Sequence, residues 1–241
     1  MKYIASVSFG KDSLAMLLRL IEENKPLDEV VFYDTGMEFQ AIYSIRDVIK
    51  KILEEKNIKY TELKPSCPFV YKMFDKPVKH KDGTLSNGYS WCGGRCRWGT
   101  TEKLVALEKY CKGNYEYVGI AFDEPKRLLK ERKGNKIFPL AEWCMTEKDC
   151  LDYCYARGFF WEEDGIRLYD ILQRVSCWCC GNKNIKELRN YYKYLPEYWE
   201  KLKNFQKRTN RPFKGNNTIF DLEERFNKEI KQFEKKLVFY F

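Results

Sequence analysis

Ser8-Phe9-Gly10-Lys11-Asp12-Ser13 gathers in six residues the groups that hold a phosphate chain. Gly10 lets the backbone come close to a ligand, Lys11 adds a full positive charge, and Ser8 and Ser13 offer hydroxyl donors. If a helix begins here, its first free amides point at the same place. The common P-loop pattern, Gly-x-x-x-x-Gly-Lys-[Ser/Thr], is absent. Lys11 and Asp12 are the candidate catalytic side chains. Lys11 would match the negative charge that builds when an α-phosphorus is attacked and pyrophosphate leaves. Asp12 or Asp34 would orient a magnesium ion, the alternative being that these carboxylates cap backbone amides.

A second chemistry lies in the ten cysteines. Cys92 and Cys96 form one short-spaced pair, and Cys177 and Cys180 form another far along the chain, with Cys179 able to replace either member of the second. Two such pairs can deliver four thiolates to one metal, and thiolate suits both an iron-sulfur cluster and zinc. The plain alternative is four buried free thiols.

These residues need elements to position them. Lys2 to Val7 is a short apolar run that reads as a buried strand, and Leu14 to Ile21 reads as a helix, so the six-residue stretch sits at a strand-to-helix turn. Asp28 to Tyr33 reads as a second strand with Asp34-Thr35-Gly36 at its carboxyl end, where open α/β sheets bind ligands. Phe39, Ile42, Ile45, Val48, Ile49, Ile52 and Leu53 then make a one-sided helical stripe. Ile58 to Leu63 reads as a third strand and 65–74 as a short helix. The polar stretch 75–90, with turn signals at Asp82-Gly83 and Asn87-Gly88, reads as a mobile loop over the site. It carries the sole histidine, His80, a candidate general base or simply a solvated side chain. A helix over 100–111, a strand over 115–120 and a helix capped by Thr146 and running to Ala156 follow. From about Lys183 the chain reads as helices rich in Lys, Tyr and Phe, the last with Leu222, Phe226, Ile230, Phe233 and Leu237 on one face. The expected fold is α/β, an open, mostly parallel sheet with helices on both faces over residues 1–180, plus a helical basic C-terminal lobe over 181–241.

Composition narrows the function classes. A chain of 241 residues accommodates one sizeable core, and no apolar run approaches the roughly 20 residues that span a bilayer. The first apolar run is too short for a signal-peptide core, so a cytoplasmic location is expected, where a reducing environment leaves thiols for metals or chemistry. The formal charge of +9 favours polyanionic partners or simply keeps the chain soluble. Lys193, Lys201, Lys203, Lys207, Arg208, Arg211 and Lys214, interleaved with Tyr192, Tyr194, Tyr198, Trp199 and Phe205, are candidates for phosphate contact and base stacking by a nucleic-acid acceptor. Packing into a core is the competing role for those aromatics.

Ser-x-Gly-Lys-Asp-Ser resembles the pyrophosphate loop of the adenine nucleotide alpha-hydrolase (PP-loop) superfamily, and several later segments resemble its phosphoadenylyl-sulfate (PAPS) reductase branch in order. They are Asp34-Thr-Gly-Met-Glu38, the Trp91-Cys92 segment with Lys103 downstream, Gly119 with Asp123-Glu124 and Arg127, Pro139-Leu140 with Trp143, and Cys177 to Cys180. The resemblance covers roughly residues 2–180. It implies an adenine nucleotide, ATP or PAPS, bound by Ser8 to Ser13, Asp34 to Gly36, Gly119 and Arg127. It also implies sulfur-related chemistry, a possible sulfur-donor protein, and a four-iron cluster in preference to zinc at Cys92, Cys96, Cys177 and Cys180. Thioredoxin-coupled members carry a nucleophilic cysteine in a Glu-Cys-Gly segment near the C-terminus, and this chain has no cysteine after Cys180. Three functions follow: adenylation of an acceptor with sulfur delivery, a divergent sulfonucleotide reductase, or an inactive nucleotide-sensing scaffold with structural zinc.

Overall fold

The computed structural model describes residues 1–92, 94, 96–131 and 134–238. Its centre is a five-stranded sheet in the order β3-β2-β1-β6-β7, with every neighbouring pair parallel. The strands are β1 (Tyr3–Val7), β2 (Glu29–Tyr33), β3 (Lys59–Leu63), β6 (Tyr115–Val118) and β7 (Lys136–Ile137). Helices α1 (Lys11–Glu22) and α2 (Gln40–Glu55) are the first two crossovers. The strand order reverses direction at β1, and a topological switch point of this kind opens a crevice at the carboxyl ends of the strands. The Ser8–Ser13 turn sits in that crevice.

Alternation along the strands sends side chains to two different cores. Ala5, Val7, Val30 and Phe32 join the large core with α1, α2 and α7 (Glu147–Tyr155), while Ile4, Val31 and Tyr33 meet Leu107 and Cys111 of α4 (Lys103–Cys111) on the opposite face. The expected α/β layering is therefore present. The α2 stripe buries Ala41, Ile42, Ile45, Ile49 and Leu53, whereas Val48 faces solvent. Thr146 caps α7 through a reciprocal bond with Asp149, as its sequence suggests.

The stretch 75–90 is not an irregular loop. After α3 (Phe69–Phe74) it forms a hairpin, β4 (Pro77–Lys79) against β5 (Leu85–Asn87), closed by a turn in which Asp82 accepts from both the Thr84 amide and hydroxyl. Three-residue strands of mixed polarity leave no alternation strong enough to distinguish such a ribbon from a loop in sequence. His80 donates to or accepts from Ser86 Oγ at 2.8 Å on this hairpin, and hairpin residues line a groove with Trp91, Cys92 and Arg211 rather than the cleft at the Ser8–Ser13 turn.

Short elements complete the chain: α5 (Pro125–Glu131), α6 (Pro139–Glu142), the two-residue strands β8 (Glu162–Glu163) and β9 (Ile166–Arg167), and α8 (Leu168–Ile171). Three longer helices follow, α9 (Ile185–Tyr194), α10 (Pro196–Gln206) and α11 (Ile219–Val238). They pack on the large core, with Phe39 edge-on to Tyr198 at 4.8 Å and Phe74 edge-on to Phe205 at 5.2 Å. Leu222 and Phe226 of α11 are fully buried and Ile230 is half-buried, while the side chains of Phe233 and Leu237 lie outside the described residues. No helix among the described residues is long and apolar enough to cross a membrane.

Candidate functional site: a phosphate cradle beside a cysteine nest

The cradle is assembled largely by its own backbone. Phe9 has φ +54, a left-handed conformation that costs a residue with a Cβ about 1–2 kcal/mol. It is held there because its ring is fully buried against Phe32 and its carbonyl accepts from Trp161 Nε1 at 2.7 Å. Phe9, expected among the binding residues, is thus the anchor of the turn and not part of its ligand-facing wall. Ser13 Oγ accepts from the Ser8 amide at 3.1 Å and donates to the Gly10 carbonyl at 3.2 Å, folding the two serines across the turn. Gly119, at the end of β6, has a packing role: a Cβ there would lie 2.8 Å from Ser13 Cα and 3.0 Å from its amide nitrogen. Only glycine lets β6 come this close to the first turn of α1.

Lys11 is nearly buried and holds two carboxylates, Asp12 at 2.9 Å and Glu147 at 2.5 Å. Burial opposes its charge, but Asp12 and Glu147 outweigh burial and hold the ammonium above the ordinary lysine range. Burial likewise pushes Asp12 up; Lys11 opposes this, and Glu147 and Glu124 add to it. The Lys11 amide donates to Tyr169 Oη at 2.9 Å. Glu147 and Tyr169, from α7 and α8, are therefore parts of the site that no spacing in the sequence marks. A cleft of about 280 Å³ opens here, lined by Ser8, Gly10, Lys11, Asp12, Ser13 and Gly119, and further out by Arg127, Arg174 and Lys103. Arg127 and Arg174 converge on one carboxylate, Glu124, at 2.9 and 3.6 Å. A second cavity of about 390 Å³ between α4 and β6 shares Ser8, Ser13, Lys103, Gly119 and Arg127 with the first.

Asp34, Thr35 and Gly36 lie at the carboxyl end of β2 as expected but do not line the cleft among the described residues. Asp34 accepts from the Gly36 amide and from Tyr43 Oη, both at 2.8 Å, so its carboxylate serves the turn. Gly36 has φ +75, which explains the glycine. Thr35 instead touches the cysteines: its Oγ1 donates to Glu38 at 3.0 Å and lies 3.5 Å from Cys177 Sγ.

Cys177 and Glu38 both line the cleft. Burial pushes the Glu38 carboxyl up, with Lys103 pulling the other way. Burial also drives the Cys177 and Cys179 thiols well above the usual range, with Glu38 adding to it at Cys177 and Cys180 at Cys179. The two cysteine segments meet. A Cβ on Gly99 would lie 3.1 Å from Cys96 Sγ and 3.8 Å from Cys177 Sγ, and one on Gly181 would lie 3.2 Å from the Cys92 carbonyl. Asn182 Nδ2 donates to the Gly94 carbonyl at 2.9 Å, and the Gly99 amide donates to Cys96 Sγ at 3.1 Å. As they stand, no group of three or more His, Cys, Asp or Glu side chains among the described residues is arranged to close on a metal ion. The four cysteines are nevertheless of the donor type that zinc and iron-sulfur clusters take, and one group near them would suit the negative charge of such a centre. Lys183, buried beside these cysteines, has an ammonium with no hydrogen-bond partner.

The C-terminal aromatics expected to stack on bases are mostly committed elsewhere. Tyr198 and Trp199 are buried, and Phe205 packs among Phe74, Trp91 and Trp178. Several of the cations are paired too, Lys203 with Glu200 and Glu223, and Arg208 with Asp75.

A parallel sheet with a glycine-containing strand-to-helix turn at its switch point is an α/β architecture of the kind that binds nucleotides. The chain belongs to the phosphoadenosine phosphosulfate reductase domain family, whose model matches residues 2–160. That span contains the cradle, Cys92, Cys96, Gly119 and Arg127 but stops before Cys177. The chain is also 26% identical over 224 residues to an uncharacterized protein of Methanocaldococcus jannaschii, a match covering 83% of this chain and 40% of the relative. The chain therefore corresponds to less than half of that relative's length.

Proposed function

We propose that this protein is a PP-loop enzyme that binds an adenine nucleotide, ATP or a sulfonucleotide, for sulfur-related chemistry: with ATP, an acceptor oxygen attacks the α-phosphate, pyrophosphate leaves, and sulfur from a donor then displaces AMP from the adenylated acceptor. The observation that carries the proposal is one cleft lined both by the residues of the Ser8–Ser13 turn and by Cys177. Backbone amides at the start of α1, the Ser8 and Ser13 hydroxyls and Lys11 hold the phosphates. Lys11 must exchange at least one of Asp12 and Glu147 for phosphate oxygens as the ligand enters, and its near burial strengthens that contact. Arg127 and Arg174 reach the outer phosphates by sharing or leaving Glu124. Asp12, with its carboxylate at the cradle, would hold a magnesium ion that neutralises phosphate charge. Cys92, Cys96, Cys177 and Cys180, with Cys179 as the alternative, would hold a four-iron cluster or zinc, which would supply sulfur-handling or structural chemistry at the cleft wall. In this reading residues 1–180 carry the nucleotide and cysteine sites, and the helices α9, α10 and α11 belong to a basic C-terminal extension.

The family membership supports a second reading, a sulfonucleotide reductase, in which the same cradle holds PAPS and sulfite leaves. Products separate the two. Anaerobically purified protein is incubated with ATP and bulk RNA, and separately with PAPS and reduced thioredoxin. Pyrophosphate and AMP from the first mixture support the adenylation reading, sulfite from the second supports the reductase, and neither product from either mixture overturns both.

A further inference from the structure

Lys183 is 4% exposed, and its Nζ has no hydrogen-bond partner. Its surroundings explain why none is available. The ammonium sits 5.6 Å from the centre of the Phe39 ring and 5.3 Å from that of Tyr191, contacts that soften but do not neutralise a buried charge. The nearest acid, Glu187, is occupied: its two oxygens accept from the Gln173 and Asn184 amides at 3.0 and 2.8 Å, the second bond closing the N-terminal cap of α9. Tyr191 Oη donates to the Trp178 carbonyl. The remaining polar groups that act on Lys183 are Cys180, Cys177 and Cys179. The turn after Cys180 places it there, since the Cys180 amide bonds the Cys177 carbonyl and the Lys183 amide bonds that of Cys180.

Burial pushes the Lys183 ammonium below the ordinary lysine range, and a charge kept at such a place is costly unless something anionic completes it. Four neutral thiols do not. Four thiolates around one zinc ion, or around a four-iron cluster in its oxidised resting form, leave a centre with net charge of about −2 in either case. From this orphaned cation we infer that Lys183 is the charge partner of a metal–thiolate centre at the cysteine nest, a positioning residue that makes room for net negative charge there. The inference rests on the proposed metal-binding role of Cys92, Cys96, Cys177 and Cys180 and adds what that role lacked, a reason for a lysine in this core.

The sign of the effect distinguishes this from a packing role. Lys183→Met keeps the length of the side chain and suits the two aromatic faces, while Lys183→Arg keeps the charge. Each 241-residue variant and the unaltered chain are prepared metal-free and then loaded under anaerobic conditions, in one arm with zinc and in another with ferrous iron and sulfide. Metal affinity is measured by chelator competition and thermal stability with and without metal. In at least one arm, Lys183→Met is expected to bind metal about tenfold or more weakly, while its metal-free form melts at or above the wild-type temperature because the unpaired charge is gone. Lys183→Arg is expected to restore affinity at least in part, and where iron loads, the Lys183→Met cluster should show a more negative midpoint potential. Wild-type affinity in Lys183→Met, or a metal-free form that melts lower with affinity unchanged, overturns the inference while leaving the metal site standing. A wild type that takes up neither metal, with Cys96→Ala and Cys180→Ala behaving identically, overturns the metal site and the inference together.

Discussion

The cradle and the cysteine nest share one cleft and differ in how completely each satisfies itself. In the cradle every charge already has a protein partner: Lys11 has Asp12 and Glu147, and the Lys11 amide has Tyr169. In the nest, burial drives the Cys177 and Cys179 thiols well above the usual range, and the Lys183 ammonium has no hydrogen-bond partner. On the proposed reading, a ligand would enter the first by exchange, and the second would be completed by something anionic.

The largest expected effect would break the cradle's side of that contrast. Trp161 is fully buried and its indole N–H fixes the Phe9 carbonyl. Trp161→Ala should cost about 3–5 kcal/mol by urea denaturation and should weaken nucleotide binding out of proportion to that of a distant core truncation of equal cost, such as Leu222→Ala. Equal nucleotide affinity in matched mutants would mean that the left-handed Phe9 turn does not depend on this anchor.

A smaller change sharpens the exchange idea. Glu147→Gln removes one of the two carboxylates that compete with a phosphate for Lys11. In magnesium-free buffer it should tighten ATP binding by about 0.5–1 kcal/mol, a few-fold in Kd, since a pair with one partly exposed member contributes little beyond this. Calorimetry that shows weaker binding instead would make Glu147 a ligand-binding group and not a competitor.

The smallest effect tests the frame that holds α7 against α1. Glu22 bonds Arg157 and Tyr153, and the Arg157 bond, the largest influence, holds its carboxyl below the ordinary value of 4.5. Because the folded value is depressed, the stabilisation is fully present above about pH 4.5 and is lost as pH falls through the folded value. Arg157→Ala should therefore lower stability at pH 7 by about 0.5 kcal/mol or less, with the difference from wild type shrinking below pH 4. A pH-independent difference would assign the effect to the Arg157–Tyr153 stacking contact.

Much of the fold was readable because strong apolar runs carry it: the buried strand before Ser8 and the α2 stripe declare their period, and Thr146 declares a cap. The hairpin at 77–87 was not, because three-residue strands carry almost no period. Val48 shows a related limit, since one extra apolar residue on a helix does not reveal which side of the stripe faces out. In the site, Ser8 to Ser13 could be read because backbone-built cradles are contiguous in sequence. Glu147, Tyr169 and Trp161 could not, because they reach the cradle from more than 130 positions away through tertiary packing. Asp34 illustrates the reverse, a carboxylate at the right end of the right strand that is spent on its own turn. Lys183 sits among many lysines, and only burial without a partner sets it apart.

The central claim is that the turn at Ser8 to Ser13 receives an adenine nucleotide through Lys11. Titration calorimetry of ATP and of PAPS into wild type and Lys11→Ala tests it most directly. The account predicts measurable binding of at least one nucleotide to wild type and a loss of about tenfold or more in Lys11→Ala, the expected scale for a charge-assisted contact. Equal affinity in the two proteins, or no binding of either nucleotide to wild type, would contradict it.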